Sequence, residues 1–129
     1  MTVNTWQPAA PLALSSALLE QLLAVLPKQE LTDLKNQVTG SDIAPFIALM
    51  KSGGQAWEIA EILADEDIKR LIIFLTLAEQ QLTGWEAGKL SPVIDLVRIL
   101  KQREAFHPEL RKWIKANTDN RYLPNGPVL

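Results

Sequence analysis

The run Leu71-Ile-Ile-Phe-Leu-Thr-Leu-Ala78 constrains this chain more than any other segment. It sits inside a helical pattern from Ile68 to Leu82 and is apolar nearly all round. A helix of that kind is stable only with neighbours on several sides. The run is far shorter than the ~20 residues a membrane span requires. Its neighbours must therefore be other protein segments, and the sequence around it is built to supply them.

Between Leu12 and Asn117 the chain reads as consecutive short amphipathic helices. Leu18, Leu22 and Leu26 fall four apart, with Leu19 and Leu23 beside them, and Pro27 stops this first helix. A weaker one covers about Lys28 to Val38, with Leu31, Leu34 and Val38 inward and Gly40 closing it. Ser41 is placed as an N-cap for a third helix, with Asp42 at its positive end and Pro45 in its first turn. Ile43, Phe46, Ile47 and Met50 then match the i, i+3, i+4, i+7 template. Gly53-Gly54 permits a reversal. The pattern resumes over Gln55 to Ala64, with Ala56, Ile59, Ala60 and Leu63 inward and Trp57 near the border. Asp65-Glu66-Asp67 opens the apolar helix with carboxylates suited to a helix start.

Beyond Leu82, Gly84 and Gly88 bracket a loop containing Trp85. Ser91-Pro92 is an N-cap followed by proline at the first helical position, and it predicts a helix over Pro92 to about Glu104. Val93, Leu96, Val97 and Leu100 face inward there. His107-Pro108-Glu109 starts a last helix, with Leu110, Trp113 and Ile114 inward, ending near Asn117. No segment alternates at period two for long enough to make a strand. The expected fold is all-α: an irregular bundle of six to seven short helices around a buried central helix. Residues 12–117 form the helical domain, flanked by extended segments at 1–11 and 118–129.

Composition narrows the function classes. A chain of 129 residues, 47% of them hydrophobic, suits one folded domain. It contains no cysteine, which removes disulfides, thiolate nucleophiles and thiolate metal sites. No secretory pattern opens the chain, so a soluble, cytoplasmic protein is expected. His107 is the single histidine, so one chain cannot form a two-histidine zinc motif. The serines have capping or turn roles, and the glycines lack the following Lys-Ser/Thr of a phosphate loop. No catalytic residue, cofactor site or metal site is therefore assigned, and the chain reads as a non-enzyme. The alternative enzymatic reading is a metal-dependent or carboxylate-based module using Glu58, Glu61, Asp65 and Asp67.

Charge is unevenly distributed. Residues 1–87 carry five Lys/Arg against eleven Asp/Glu, and residues 88–129 carry eight against four, giving −6 and +4 within a net −2. Opposed halves can attract within one fold or dock between copies. Arg98, Lys101, Arg103, Arg111, Lys112 and Lys115 form a basic set on the last two helices. A weak nucleic-acid binder through that set is a further alternative, disfavoured by a pI of 5.4.

The ends of the chain carry the remaining signal. Polar composition is usual for unstructured tails, yet these hold Trp6, Tyr122, Leu123, Val128 and Leu129. Such side chains pack either on their own domain or on another protein. Arg121-Tyr122-Leu123-Pro124 pairs the residue types that recur as interface anchors. The sequence thus points to a protein–protein interaction or adaptor module, an accessory subunit or a self-associating one. Its candidate partner-binding residues are Trp6, Trp85, Arg121, Tyr122, Leu123 and Pro124, and its expected partner is a protein or a second copy, with no membrane.

Overall fold

The structure, a computed structural model, describes residues 16–26, 30–51 and 54–123. Among them there is no strand, and the fold is all-α. Six α-helices follow in order: α1 (Ser16–Val25), α2 (Leu34–Gln37), α3 (Gly40–Ile43), α4 (Asp65–Gln81), α5 (Pro92–Gln102) and α6 (Pro108–Ala116). Three 3₁₀ segments, Ala44–Lys51, Gly54–Ile62 and Gly88–Leu90, complete the described elements.

The Leu71–Ala78 run of α4 is apolar all round apart from Thr76, and its burial follows from that. Ile68, Leu71, Ile72, Phe74, Leu75, Leu77 and Ala78 are all removed from solvent. α5 and α2 pack against this helix. The one hydroxyl in the run, Thr76 Oγ1, donates to the Ile72 carbonyl at 2.7 Å, which satisfies it without a partner outside the helix. No helix among the described residues is long and apolar enough to cross a membrane.

α5 has the expected cap. Ser91 Oγ accepts from the Val93 N–H at 3.3 Å, and Pro92 occupies the first turn. α5 also buries Ile94 and Ile99, which flank its inward row of Val93, Leu96, Val97 and Leu100. Its end is a Schellman turn: the Ala105 N–H donates to the Leu100 carbonyl at 2.8 Å, and the Glu104 N–H to that of Lys101 at 3.0 Å. Glu104 holds the left-handed position at φ 57°, where glycine is usual. Arg103, at the same end, joins three elements. Its guanidinium donates to the Leu63 carbonyl at 2.8 Å, the Glu61 carbonyl at 2.7 Å and the Asp65 carboxylate at 2.8 Å.

The structure corrects the expected helix over 28–38. Only Leu34–Gln37 is helical among the described residues, because two glutamines satisfy the preceding backbone in a non-helical form. Gln37 Oε1 accepts from Thr32 N and Asp33 N at 2.7 and 2.8 Å, while its Nε2 donates to the Glu30 carbonyl at 2.8 Å. Gln81 of α4 does the same from outside, accepting from Leu34 N and donating to the Thr32 carbonyl, both at 2.8 Å. Side-chain bonds of this kind compete directly with a helical ladder. Gly40, expected to end a helix, begins α3, and Thr39 rather than Ser41 is its N-cap residue.

The segments expected as α-helices over 41–53 and 55–64 are 3₁₀ from Ala44 and Gly54 onward. Burial shows why the pattern was ambiguous. Ile43, Phe46 and Leu49 are buried at a spacing of three, as are Trp57 and Ala60, with Leu63 partly covered. That row suits a helix of three residues per turn, and it overlaps the i, i+3 part of the α pattern. The tighter winding carries Trp57 into the core. Its indole N–H donates to the Leu49 carbonyl at 3.2 Å, which joins the two segments. Ile62, off the row, is left 65% exposed.

Candidate partner-binding surface

The segment after α6 begins with turn-forming polar residues, which stop the helix and aim the chain back along α4. Asn117 closes α6, its Nδ2 donating to the Trp113 carbonyl at 2.8 Å. Asp119 then meets Gln80 in a reciprocal pair: Gln80 Nε2 donates to Asp119 Oδ2 at 2.8 Å, and the Asp119 N–H donates to Gln80 Oε1 at 3.0 Å.

Next to this pair stands Glu79, 9% exposed and the one carboxylate buried among the described residues. A buried charge is tolerated only when several donors satisfy it. Here Oε1 accepts from the Ala87 N–H at 2.7 Å, the Gly88 N–H at 3.1 Å and Asn120 Nδ2 at 3.2 Å, while Oε2 accepts from the same Nδ2 at 3.1 Å. Asn120 completes the network, its Nδ2 donating to the Gly88 carbonyl at 2.9 Å and its Oδ1 accepting from the Tyr122 N–H at 2.9 Å. One carboxylate therefore clasps the loop after α4 and the C-terminal segment together. Gly88, with φ 56°, takes the backbone conformation that turns its N–H toward Glu79.

The clasp sorts the predicted partner-binding residues into two groups. Trp85 is 3% exposed and meets Phe74 edge-to-face, with ring centroids 5.7 Å apart. Leu123 is buried as well. Both are core side chains, so they are corrected out of any partner-facing surface. Trp85 lies in a glycine-bracketed loop, a context that reads as surface; the Glu79 bonds to Ala87 and Gly88 fold that loop inward. Trp6 and Pro124 lie outside the described residues.

Arg121 is exposed and Tyr122 half-buried. The guanidinium lies 5.0 Å from the Tyr122 ring centroid, and its Nη2 donates to the phenolic oxygen at 2.9 Å. That hydrogen bond, and then the cationic charge behind it, lowers the phenol below its ordinary range; the charge of Lys89 acts in the same direction. The same bond raises the Arg121 pKa. Leu90, two residues beyond Gly88, is 42% exposed. Lys89, Leu90, Arg121 and Tyr122 are thus an aromatic, an aliphatic and two cations on backbone fixed by one buried carboxylate. Leu90 and Lys89 were absent from the expected set, because a short 3₁₀ turn carries no amphipathic pattern to mark its exposed side.

The acidic residues of the enzymatic alternative are not gathered into one centre. Glu58 and Glu61 line a niche of about 230 Å³ with Trp57, Asp95, Arg98, Ile99 and Gln102. Asp65 is held by Arg103 at 2.8 Å, and Asp67 lies 3.9 Å from Arg70. No group of three or more His, Cys, Asp or Glu among the described residues is arranged to hold a metal ion. Burial raises the Asp95 pKa, offset by the Arg98 charge and hydrogen bond, with the Glu58 charge adding to the rise. His107, at the N-cap of α6, is exposed and makes no side-chain cap bond.

Of the basic residues, Lys101, Arg111, Lys112 and Lys115 share one surface, whereas Arg98 pairs with Asp95 at 3.1 Å and Arg103 with Asp65 at 2.8 Å. Pro108, Arg111, Lys112, Lys115 and Ala116 line an open groove of about 560 Å³ on the outer side of α6. Lys101, Phe106 and His107 continue it across Pro108 and Arg111. Lys101 Nζ sits 5.7 Å from the Phe106 ring centroid.

Comparison with known proteins adds no relative: no family model matches the chain, and neither a curated protein nor a solved structure is similar to it.

Proposed function

We propose that this protein is a non-enzymatic interaction module that docks a protein partner through Lys89, Leu90, Arg121 and Tyr122. The observation that carries the reading is the Arg121–Tyr122 pair, stacked and hydrogen-bonded on backbone that Glu79 and Asn120 already hold. Tyrosine and arginine are the residues most often responsible for interface affinity. Fixing them before contact removes much of the ordering cost that association otherwise incurs. Exposed Leu90 supplies an apolar side chain on the turn that Glu79 and Asn120 bind at Gly88, and Lys89 favours a partner with negative charge at its rim.

The test places a photo-crosslinking amino acid at position 90 in the full chain, inside cells, with the exposed Lys69 position as control. A discrete adduct is expected at position 90, lost on Tyr122→Ala or Arg121→Ala and absent at position 69. Equal labelling at both positions, or adducts insensitive to the two substitutions, would refute the docking surface.

A further inference from the structure

The opposed charges of the two halves are left largely unused inside the fold. Among the described residues one ion pair joins them, Arg103–Asp65 at 2.8 Å. The other two, Arg70–Asp67 and Arg98–Asp95, are i, i+3 pairs within a single helix. Among the described residues, attraction between the halves therefore leaves the cations of the basic α6 face without an ion pair.

That face is regular. Pro108, Arg111, Lys112 and Lys115 recur at i, i+3, i+4, i+7, opposite the buried Leu110 and Ile114, so α6 presents one outward stripe of three cations. None of the three makes an ion pair or hydrogen bond among the described residues. The stems of these side chains and the Pro108 and Ala116 surfaces give the groove an apolar floor, which lowers the local dielectric. Like charges held together on such a floor repel one another until an anion arrives.

The niche at Trp57 has the complementary character. Glu58 and Glu61 share a row in a helix of three residues per turn, and both are exposed. Asp95 faces them from α5, and Arg98, which bonds Asp95 at 3.1 Å, is the one cation lining the space among the described residues. Three carboxylates against one guanidinium leave an excess of negative charge. Burial is the main cause of the raised Asp95 pKa; Arg98 lowers it through its charge and hydrogen bond, and the Glu58 charge adds a smaller rise.

We infer that this chain self-associates head to tail, the α6 stripe of Arg111, Lys112 and Lys115 on one copy seating on the Glu58, Glu61 and Asp95 niche of the next. The contact is heterologous, using two different surfaces of each copy. It leaves Arg121 and Tyr122 outside the contact and so is independent of the docking surface proposed above.

Sedimentation velocity on the full chain tests it. At about 20 mM salt the mean mass should rise with concentration, and the rise should vanish by about 500 mM, where the Debye length has shrunk to roughly 4 Å. Two charge-reversed proteins, Arg111→Glu/Lys112→Glu/Lys115→Glu and Glu58→Lys/Glu61→Lys, should each associate at least roughly tenfold more weakly than the wild type. Mixed together they should form a complex, since each keeps the surface that the other's intact one recognises. All five positions are exposed, and far-UV circular dichroism verifies their folding; the neutral set Arg111→Gln/Lys112→Gln/Lys115→Gln substitutes if the reversal disturbs α6. A wild-type protein that stays monomeric at low salt overturns the inference. So does association that survives both reversals, or a mixture that fails to pair. Salt-sensitive binding of a single-stranded oligonucleotide to a monomeric protein would assign the stripe to nucleic acid instead.

Discussion

Replacing Glu79 by glutamine isolates what the buried carboxylate contributes. The side chain keeps its shape, and the amide oxygen can still accept from Ala87 and Gly88 if it occupies the Oε1 position. The amide nitrogen then faces Asn120 Nδ2, so donor meets donor where the carboxylate accepted at 3.1 Å. Asn120 cannot relieve this by flipping, because its Oδ1 holds the Tyr122 N–H and its Nδ2 the Gly88 carbonyl. One hydrogen bond to a charged group is lost and a buried donor is left unmatched, a cost of about 2–3 kcal/mol. Glu79→Ala strips both backbone N–H groups of their acceptor as well and costs about 3–5 kcal/mol. Domain stabilities are typically about 5–15 kcal/mol, so either loss is large. Urea unfolding followed by circular dichroism measures these values, and a cycle with Asn120→Ala should give a coupling of about 1.5–3 kcal/mol. Amide exchange at Ala87 and Gly88 should quicken in the same variants, locating the loss at the clasp. The reasoning fails if Glu79→Gln lies within about 0.5 kcal/mol of wild type, or if the cycle shows no coupling beyond about 0.5 kcal/mol.

Three other substitutions probe separate features. Leu75→Lys places an ammonium in the fully buried face of α4 and should abolish cooperative unfolding; a soluble variant with wild-type circular dichroism would contradict the burial argument. Glu104→Gly relieves a left-handed residue at φ 57° and should stabilise the protein by about 0.5–1 kcal/mol in thermal or urea unfolding, with no gain counting against the Schellman assignment. Tyr122 is the only tyrosine in the chain, so phenolate absorbance reports it alone. The phenol pKa is lowered in the fold, so its ionised form stabilises the native state at alkaline pH, and that contribution disappears as pH falls through the native-state pKa. Arg121→Ala should move the absorbance titration upward toward the ordinary tyrosine range; an unchanged midpoint would show that the pair does not exist in solution.

The features readable in the sequence are those that depend on neighbours a few residues away. Ser91 and Pro92 specify the start of α5 because both groups of the cap lie within three positions, and the run at Leu71–Ala78 specifies burial because no side of it suits water. The stripe of Arg111, Lys112 and Lys115 is legible for the same reason, since helical spacing alone puts the three on one face. Tertiary structure decided the rest. Whether Ala44–Lys51 and Gly54–Ile62 wind as α or 3₁₀ is not legible in an i+3 spacing common to both windings, and the Trp57 indole bond to the Leu49 carbonyl that joins them forms only in the folded chain. Gln81, 47 residues from Leu34, set how little of the 28–38 region is helical. Glu79 reads in sequence as an ordinary helix-end carboxylate. Asn120, 41 residues later, makes it a buried hub that draws Trp85 and Leu123 inward and leaves Arg121 and Tyr122 outward. Local patterns state which side chains avoid water, whereas the choice between one's own core and a partner depends on polar bonds that close only once distant segments meet.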